Sequence, residues 1–294
     1  MTPPASTPVT TSGRFVSGSR RRLYVVEHAP GGAPGVDAVI LVPPFAEEMN
    51  RSRRMFTLLG QRLAAAGWST FVVDLSGTGE SDGEFGDATW EQWLEDLDVV
   101  AGHARERGFN RLWYCGVRLG AALALDFVGH SPRESDSRIM LWQPVLDGSV
   151  LITQFLRLRL ASSLRSNVGA KETTAGLRER LAAGASLEVA GYTLNPALVA
   201  RIDGARLADL AAVAARPLTW LEVLPRDVAT PPSAAVIGKL RTQGLQVDYA
   251  RVEGDQFWAT PETTVAPALI EAASERLLAA HSTLDNNARS AAHV

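Results

Sequence analysis

The sequence predicts an α/β fold: a mostly parallel sheet flanked by helices on both faces, interrupted by an inserted helical cap. Short β-rich runs alternate with stretches of helical periodicity along most of the chain. One run, 112–115, leads into GVRLG, where Gly116 and Gly120 permit a sharp strand-to-helix turn. The alternation stops once, over 149–216, where the patterns are helical and no convincing strand occurs. With 294 residues, 46% of them hydrophobic and 21% charged, the chain has the length for one large domain carrying such an insertion.

Taken in order, 15–16 and 23–27 read as an antiparallel edge hairpin, and AVILV at 38–42 as the first fully apolar, buried strand. A helical pattern over 49–66 ends at Gly67, and TFVVD at 70–74 is the next strand, followed by the glycine-rich turn LSGTGESDG. The segment 87–107 opens acidic and closes basic before Gly108, the charge order a helix dipole prefers. The elbow strand 112–115, its helix 118–128 and a strand at 139–142 come next. After the cap, a strand at 218–223, a helix at 232–243, a strand at 245–252 and a helix at 265–280 close the fold. Boundaries expected from this reading are an unordered arm 1–13, a core of 14–147 and 217–280, a helical cap 148–216, and an unordered tail 281–294.

A net charge of −3 gives no bulk case for nucleic acid or an anionic membrane, and Arg20, Arg21 and Arg22 read as a solvated strand edge. Cys115 stands alone, so no internal disulfide forms, and without a CxxC or a His/Cys cluster no zinc or other metal site is expected. No GxGxxG follows the first apolar strand, so a dinucleotide cofactor is not expected. The amino terminus lacks a basic start and an apolar core, and no apolar stretch is of bilayer-spanning length. These features point to a soluble, cytoplasmic protein without a transmembrane segment.

The turn DLSGTGESDG (74–83), the elbow GVRLG and the position of the cap together resemble the α/β-hydrolase fold with a cap between its sixth and seventh strands. VPPFAEEMNRSRRM (42–55), FGDATWEQW (85–93), LWQPVLDG (141–148) and FLRLRLA (155–161) further resemble the group named exosortase A system-associated hydrolase 2. That resemblance implies a link to the exosortase and PEP-CTERM surface-sorting or exopolysaccharide systems, and a partner in a surface-export pathway. Its hydrolase label rests on fold kinship, which does not establish function.

A hydrolase of this fold needs a nucleophile at the elbow, an acid near the seventh strand and a histidine after the last strand. The elbow carries Arg118, whose guanidinium stays protonated and has no lone pair to attack a carbonyl. The last loop reads VEGDQFW, which puts Gln256, or Asp255 with a one-residue shift, at the histidine position. His28, His103, His130, His281 and His293 lie elsewhere and read as surface or helix-end residues. Asp227 occupies the acid position. The loop supplying oxyanion donors is Pro43–Pro44–Phe45–Ala46; the prolines donate nothing, which leaves the amides of Phe45 and Ala46 with that of Leu119. Cys115 precedes the elbow glycine, inside the strand, and is expected to be buried and unactivated.

A cation on the first turn of a helix calls for a nearby anion. Two answers stand: an internal carboxylate from Glu47, Glu48, Asp147 or Asp227, or an anionic ligand held by Arg118 and the amides around Leu119, with Arg51, Arg53 and Arg54 adding charge. Trp142, Phe155 and Trp258 are candidate apolar walls, and Trp90 and Trp93 read as packing. The functional expectation is a non-catalytic protein that binds an anionic or acyl small molecule. The alternative is a hydrolase of ester or thioester bonds built on Glu47, Glu48, Asp227 or Asp255 and water.

Overall fold

A computed structural model describes residues 8–18, 20–33, 35–166, 172–224, 233–260 and 262–291. The strands are β1 (Val9–Ser17), β2 (Arg22–Pro30), β3 (Asp37–Val42), β4 (Ser69–Val73), β5 (Arg111–Val117), β6 (Arg138–Trp142), β7 (Leu187–Val189), β8 (Tyr192–Leu194), β9 (Leu218–Leu224) and β10 (Val247–Glu253). The helices are α1 (Glu47–Ala65), α2 (Trp90–Glu106), α3 (Leu119–His130), α4 (Gly148–Ser166), α5 (Thr174–Ala182), α6 (Pro196–Gly204), α7 (Leu207–Ala214), α8 (Ala234–Thr242) and α9 (Pro267–Ala291). The main sheet runs β1-β2-β4-β3-β5-β6-β9-β10. Its β1–β2 and β2–β4 pairings are antiparallel and the rest parallel. This is the α/β-hydrolase fold the sequence resembles.

Period-two patterning decides the layers. Along β3 every residue is buried, but Ala38, Ile40 and Val42 join the apolar cluster that includes residues of α2, α3 and the cap. Val39 and Leu41 join the opposite cluster with α1 and α9. The strand therefore needs apolar residues at every position, which is why AVILV reads as a continuous run. Thr89 caps α2 by accepting a 3.1 Å hydrogen bond from the Gln92 amide, so that helix starts at Trp90 rather than at Asp87, which closes a short 3-10 turn.

Four expectations are corrected. The arm expected to be unordered through Gly13 is paired from Val9, each residue of β1 opposite one of β2, because the β-branched residues Val9, Thr10 and Thr11 suit an edge strand. The tail expected to lose order at 281 continues as α9 to Ala291. The cap contains a hairpin, β7–β8, whose two-residue turn uses Ala190 (φ 51°) and Gly191 (φ 86°), both left-handed. His28 is no surface residue: it is 1% exposed on β2, lies against Gly60 of α1, and pairs its Nδ1 with Thr11 Oγ1 at 2.9 Å. His103 is half-buried on α2, and His130 closes α3 beside Asp126 at 2.8 Å.

The cap proper comprises α4, α5, the β7–β8 hairpin and α6. The helix α7 packs on α3, with Gly129 against Ala214, and so flanks the sheet instead of covering its end. Arg22 binds Asp82 at 3.1 Å and lies over the Phe15 ring, which ties the basic hairpin turn to the glycine-rich turn after β4. Among the described residues, no helix is long and apolar enough to cross a membrane.

Candidate functional site

The site forms at the carboxyl ends of β3 and β5, where the chain makes two strained turns. Arg118 sits between β5 and α3 at φ 55°, ψ −116°, and Ala46, opening α1, sits at φ 51°, ψ −128°. With Gln143 at φ 42°, three non-glycine residues in left-handed backbone converge here, each at a cost of about 1–3 kcal/mol. The glycines beside Arg118 are required by contact. A Cβ on Gly116 would lie 2.4 Å from the Ala121 Cα, and one on Gly120 2.4 Å from the Val42 carbonyl. The turn is further held by the Arg118 amide donating to Trp142 O at 3.0 Å and the Val145 amide donating to Arg118 O at 3.2 Å.

The anion beside Arg118 is Glu48, in the first turn of α1. Nε of Arg118 lies 3.3 Å from both carboxylate oxygens and Nη2 lies 3.2 Å from Oε1, while Nη1 donates to Gln143 O at 3.3 Å. Trp258 covers the guanidinium, its ring centroid 5.2 Å from Cζ. Burial pushes the Glu48 carboxyl above the usual carboxylate range, against the opposing pull of Arg118 and Arg51. The two side chains keep 16% and 22% of their surfaces exposed, so the pair is shielded but not sealed.

The other candidate carboxylates are engaged elsewhere or face outward. Glu47 accepts from Tyr192 Oη at 3.0 Å and from Asn50 Nδ2 at 3.1 Å, and thereby links α1 to the cap hairpin. Burial and the neighbouring Glu47 push the Tyr192 phenol up to about 12. Asp147 accepts from Ser149 N and Oγ at 2.8 and 2.6 Å and pairs with Arg206, which makes it the cap of α4 and not the partner of Arg118. Asp255 and Gln256 are exposed on the loop after β10, while Phe257 and Trp258 turn inward. Of the described residues of this loop, Trp258 is the one whose ring meets Arg118. Asp227 lies outside the described residues.

Little free space lies beside the expected amide donors Phe45, Ala46 and Leu119. Phe45, Ala46, Leu119, Leu123, Trp93 and Pro44 enclose a cavity of about 10 Å³, room for about one water at most. Phe45 meets Phe155 of the cap edge-on at 5.1 Å, and Phe155 meets Tyr192 at 6.3 Å, an aromatic seam between core and cap. Beside it a cleft of about 620 Å³ opens between α4 and the start of α1, walled by Phe45, Leu151, Phe155, Leu158 and Trp258, with Glu47, Glu48 and Arg51 on its core side. Trp142 is fully buried and belongs to the core, whereas Phe155 and Trp258 do line the cleft. Arg51 donates to Ala259 O at 2.9 Å; Arg53 binds Asp74 at 3.0 Å and Arg54 faces solvent, so of these three arginines Arg51 is the one that lines the cleft. Cys115 is completely buried, and burial pushes its thiol up, away from nucleophilic use. Among the described residues no group of three or more His, Cys, Asp or Glu is placed to hold a metal ion.

Sequence reasoning named Glu48 as one of four possible partners and Trp258 as a wall. It did not foresee Tyr192 on Glu47 or the Gln143 carbonyl on Arg118. A tyrosine directly after a hairpin glycine offers no signal of its partner 145 residues away in sequence.

The family model described as serine aminopeptidase, S33 matches residues 35–212. No curated protein matches the chain in sequence. Among solved structures, Est1E from Butyrivibrio proteoclasticus with ferulic acid bound superposes with a TM-score of 0.62 at 18% identity, covering 90% of this chain and 98% of that one. Alpha/beta hydrolase domain-containing protein 10 from mouse gives a TM-score of 0.58 at 14% identity over 93% and 99% of the two chains. Proline iminopeptidase from Mycobacterium smegmatis gives 0.54 at 16% identity over 84% and 92%. At these identities the likeness is one of fold.

Proposed function

We infer that this chain, which belongs to the serine aminopeptidase S33 family of α/β-hydrolases, holds an acyl small molecule beneath its cap without cleaving it. The observation that supports this most is the Arg118–Glu48 pair under Trp258, which fills the place where a nucleophile would stand. Acyl transfer there needs a nucleophile, a proton acceptor and an oxyanion pocket. The first is a guanidinium, the second is an outward-facing carboxamide, and the third is a cavity too small for a substrate oxygen and its chain. The cleft persists, with aromatic and aliphatic walls and charged groups on one side, the composition of a site for an amphipathic ligand. Ferulic acid, the ligand of Est1E, is an aryl-substituted carboxylic acid, and a ligand of that class suits the walls formed by Phe45, Phe155 and Trp258.

The four segments that resemble the exosortase A system-associated hydrolase 2 group support an accessory role in an exosortase, PEP-CTERM or exopolysaccharide system, with a protein partner there. The lone, unpaired Cys115 supports a reducing, cytoplasmic setting. Family membership favours a second reading, hydrolysis of ester or thioester bonds with Glu47 or Glu48 activating water, since both line the cleft. Purified protein offered short-chain p-nitrophenyl esters and an acyl-CoA series, beside Arg118→Ala and Glu47→Ala, separates the two. Three equally inert proteins support binding without cleavage. Turnover well above background that a variant abolishes overturns it.

A further inference from the structure

Resting on that reading of the cleft as an acyl-ligand site, we propose that its ligand is a monocarboxylate whose carboxylate replaces that of Glu48 on Arg118. Glu48 is thus an internal stand-in, an autoinhibitory contact that the ligand displaces, and its release is coupled to uptake of one proton.

The geometry supports exchange. The Arg118–Glu48 contacts of 3.2–3.3 Å are long for a charge-assisted pair, which closes to about 2.7–2.9 Å when optimal. Glu48 is itself a wall of the cleft, so it stands between the open space and the guanidinium, and Trp258 supplies a face along which a flat or extended body can lie. Arg118 presents a planar fork suited to any carboxylate. The apolar walls then select acids with an alkyl or aryl body of cleft size.

The proton follows from the charges that face this spot. They are Arg118 from the elbow, and Glu47, Glu48 and Arg51 from α1. The cap side adds the neutral Gln154 and the loop after β10 adds Trp258. Among the described residues, two cations balance two carboxylates in the free protein. A bound carboxylate leaves one negative charge in excess, and one proton restores neutrality. Glu48 is the group to receive it: Glu47 is half-exposed to solvent, whereas Glu48 is shielded beside Arg118 and burial already raises its carboxyl. Arg51 is no alternative refuge for an ionised Glu48, since it is held by Ala259 O and shared with Glu47.

The test is calorimetric titration of the full chain with octanoate, ferulate and the neutral isostere octanamide, in buffers of differing ionisation enthalpy between pH 6 and 8.5. Expected are binding of the acids, uptake approaching one proton per acid, and affinity falling by up to tenfold per pH unit above the Glu48 transition. Octanamide should take up none. Glu48→Gln should tighten octanoate and abolish the uptake, and Arg118→Met should lose octanoate preference over octanamide. Acid and amide binding alike, with no proton uptake, overturns the headgroup assignment and leaves the acyl cleft standing. No binding of any probe to the folded wild type overturns both. The proton count is made on the wild type, so it decides the matter even if a variant fails to fold.

Discussion

Arg118→Met removes the guanidinium but keeps a side chain of similar length at the same strained backbone, so the strain cancels and the lost charge is what the comparison reads. At about 4 Å between charge centres and an effective dielectric near 20, the attraction to Glu48 is about 4 kcal/mol. The pair is partly open, and the orphaned Glu48 still faces Arg51 and some solvent, which reduces the net loss to about 2 kcal/mol, roughly a 30-fold shift toward unfolding. The cost must depend on pH. A carboxyl raised by folding contributes its stability below the ordinary carboxylate range and loses it as pH rises through the folded value. Without Arg118 the rise is larger, so the deficit against wild type grows as pH rises and shrinks in acid as Glu48 takes its proton. Urea unfolding of both proteins at pH 5, 6.5 and 8 measures it, and Glu48→Gln in the Arg118→Met background should recover most of the loss. A deficit that is the same at pH 5 and pH 8, or larger in acid, refutes the reasoning, because the buried carboxylate would then not be its source.

Tyr192→Phe removes the hydrogen bond from the cap hairpin to Glu47, about 1 kcal/mol, so amide exchange across 187–194 should quicken about fivefold with the core helices unchanged. Gly120→Ala drives a Cβ to 2.4 Å from the Val42 carbonyl, a backbone atom that cannot yield, and should cost about 3 kcal/mol or prevent folding. Gly102→Ala is the contrast: it lies inside α2 with nothing within 4 Å of the added Cβ, and should gain about 0.5–1 kcal/mol in the same urea assay. Cys115 should resist a thiol reagent in the native protein and react only on unfolding, since it is buried and its thiol is pushed up; prompt native reaction would place it at the surface.

The fold was legible because its signals are local and redundant. AVILV is apolar at every position and TFVVD is buried at every position, as strands covered on both faces must be, and the glycines of the elbow mark a close approach that any β5–α3 turn of this kind requires. The edges were harder. β1 is mostly exposed and rich in Thr and Ser, so its composition matches an unordered arm, and only its pairing with β2 distinguishes the two. The β7 and β8 strands are three residues long, too short for alternation to register. At the site, chemistry alone excluded Arg118 as a nucleophile. Choosing Glu48 among the possible partners needed the position of α1 relative to the elbow, a tertiary fact absent from any local window.

Keeping the elbow without its nucleophile has a physical explanation in packing. Gly116 and Gly120 seat α3 directly on β5 and against the end of β3, and the left-handed residue between them turns the chain from one to the other. Reshaping that turn would unseat α3, whose buried residues run without a break from Leu119 to Val128. The strained turn therefore persists whatever its central residue does. It does constrain where that side chain points: toward the opening of α1 and the loop after β10, over the ends of the strands. A cation placed there must find an anion, and Glu48 at the opening of α1 stands within reach because Ala46 makes the matching left-handed turn. Glycine-flanked elbows thus report the seating of a helix. The reaction has to be read from the central residue and from what faces it, and in this chain the facing groups are a carboxylate and an indole.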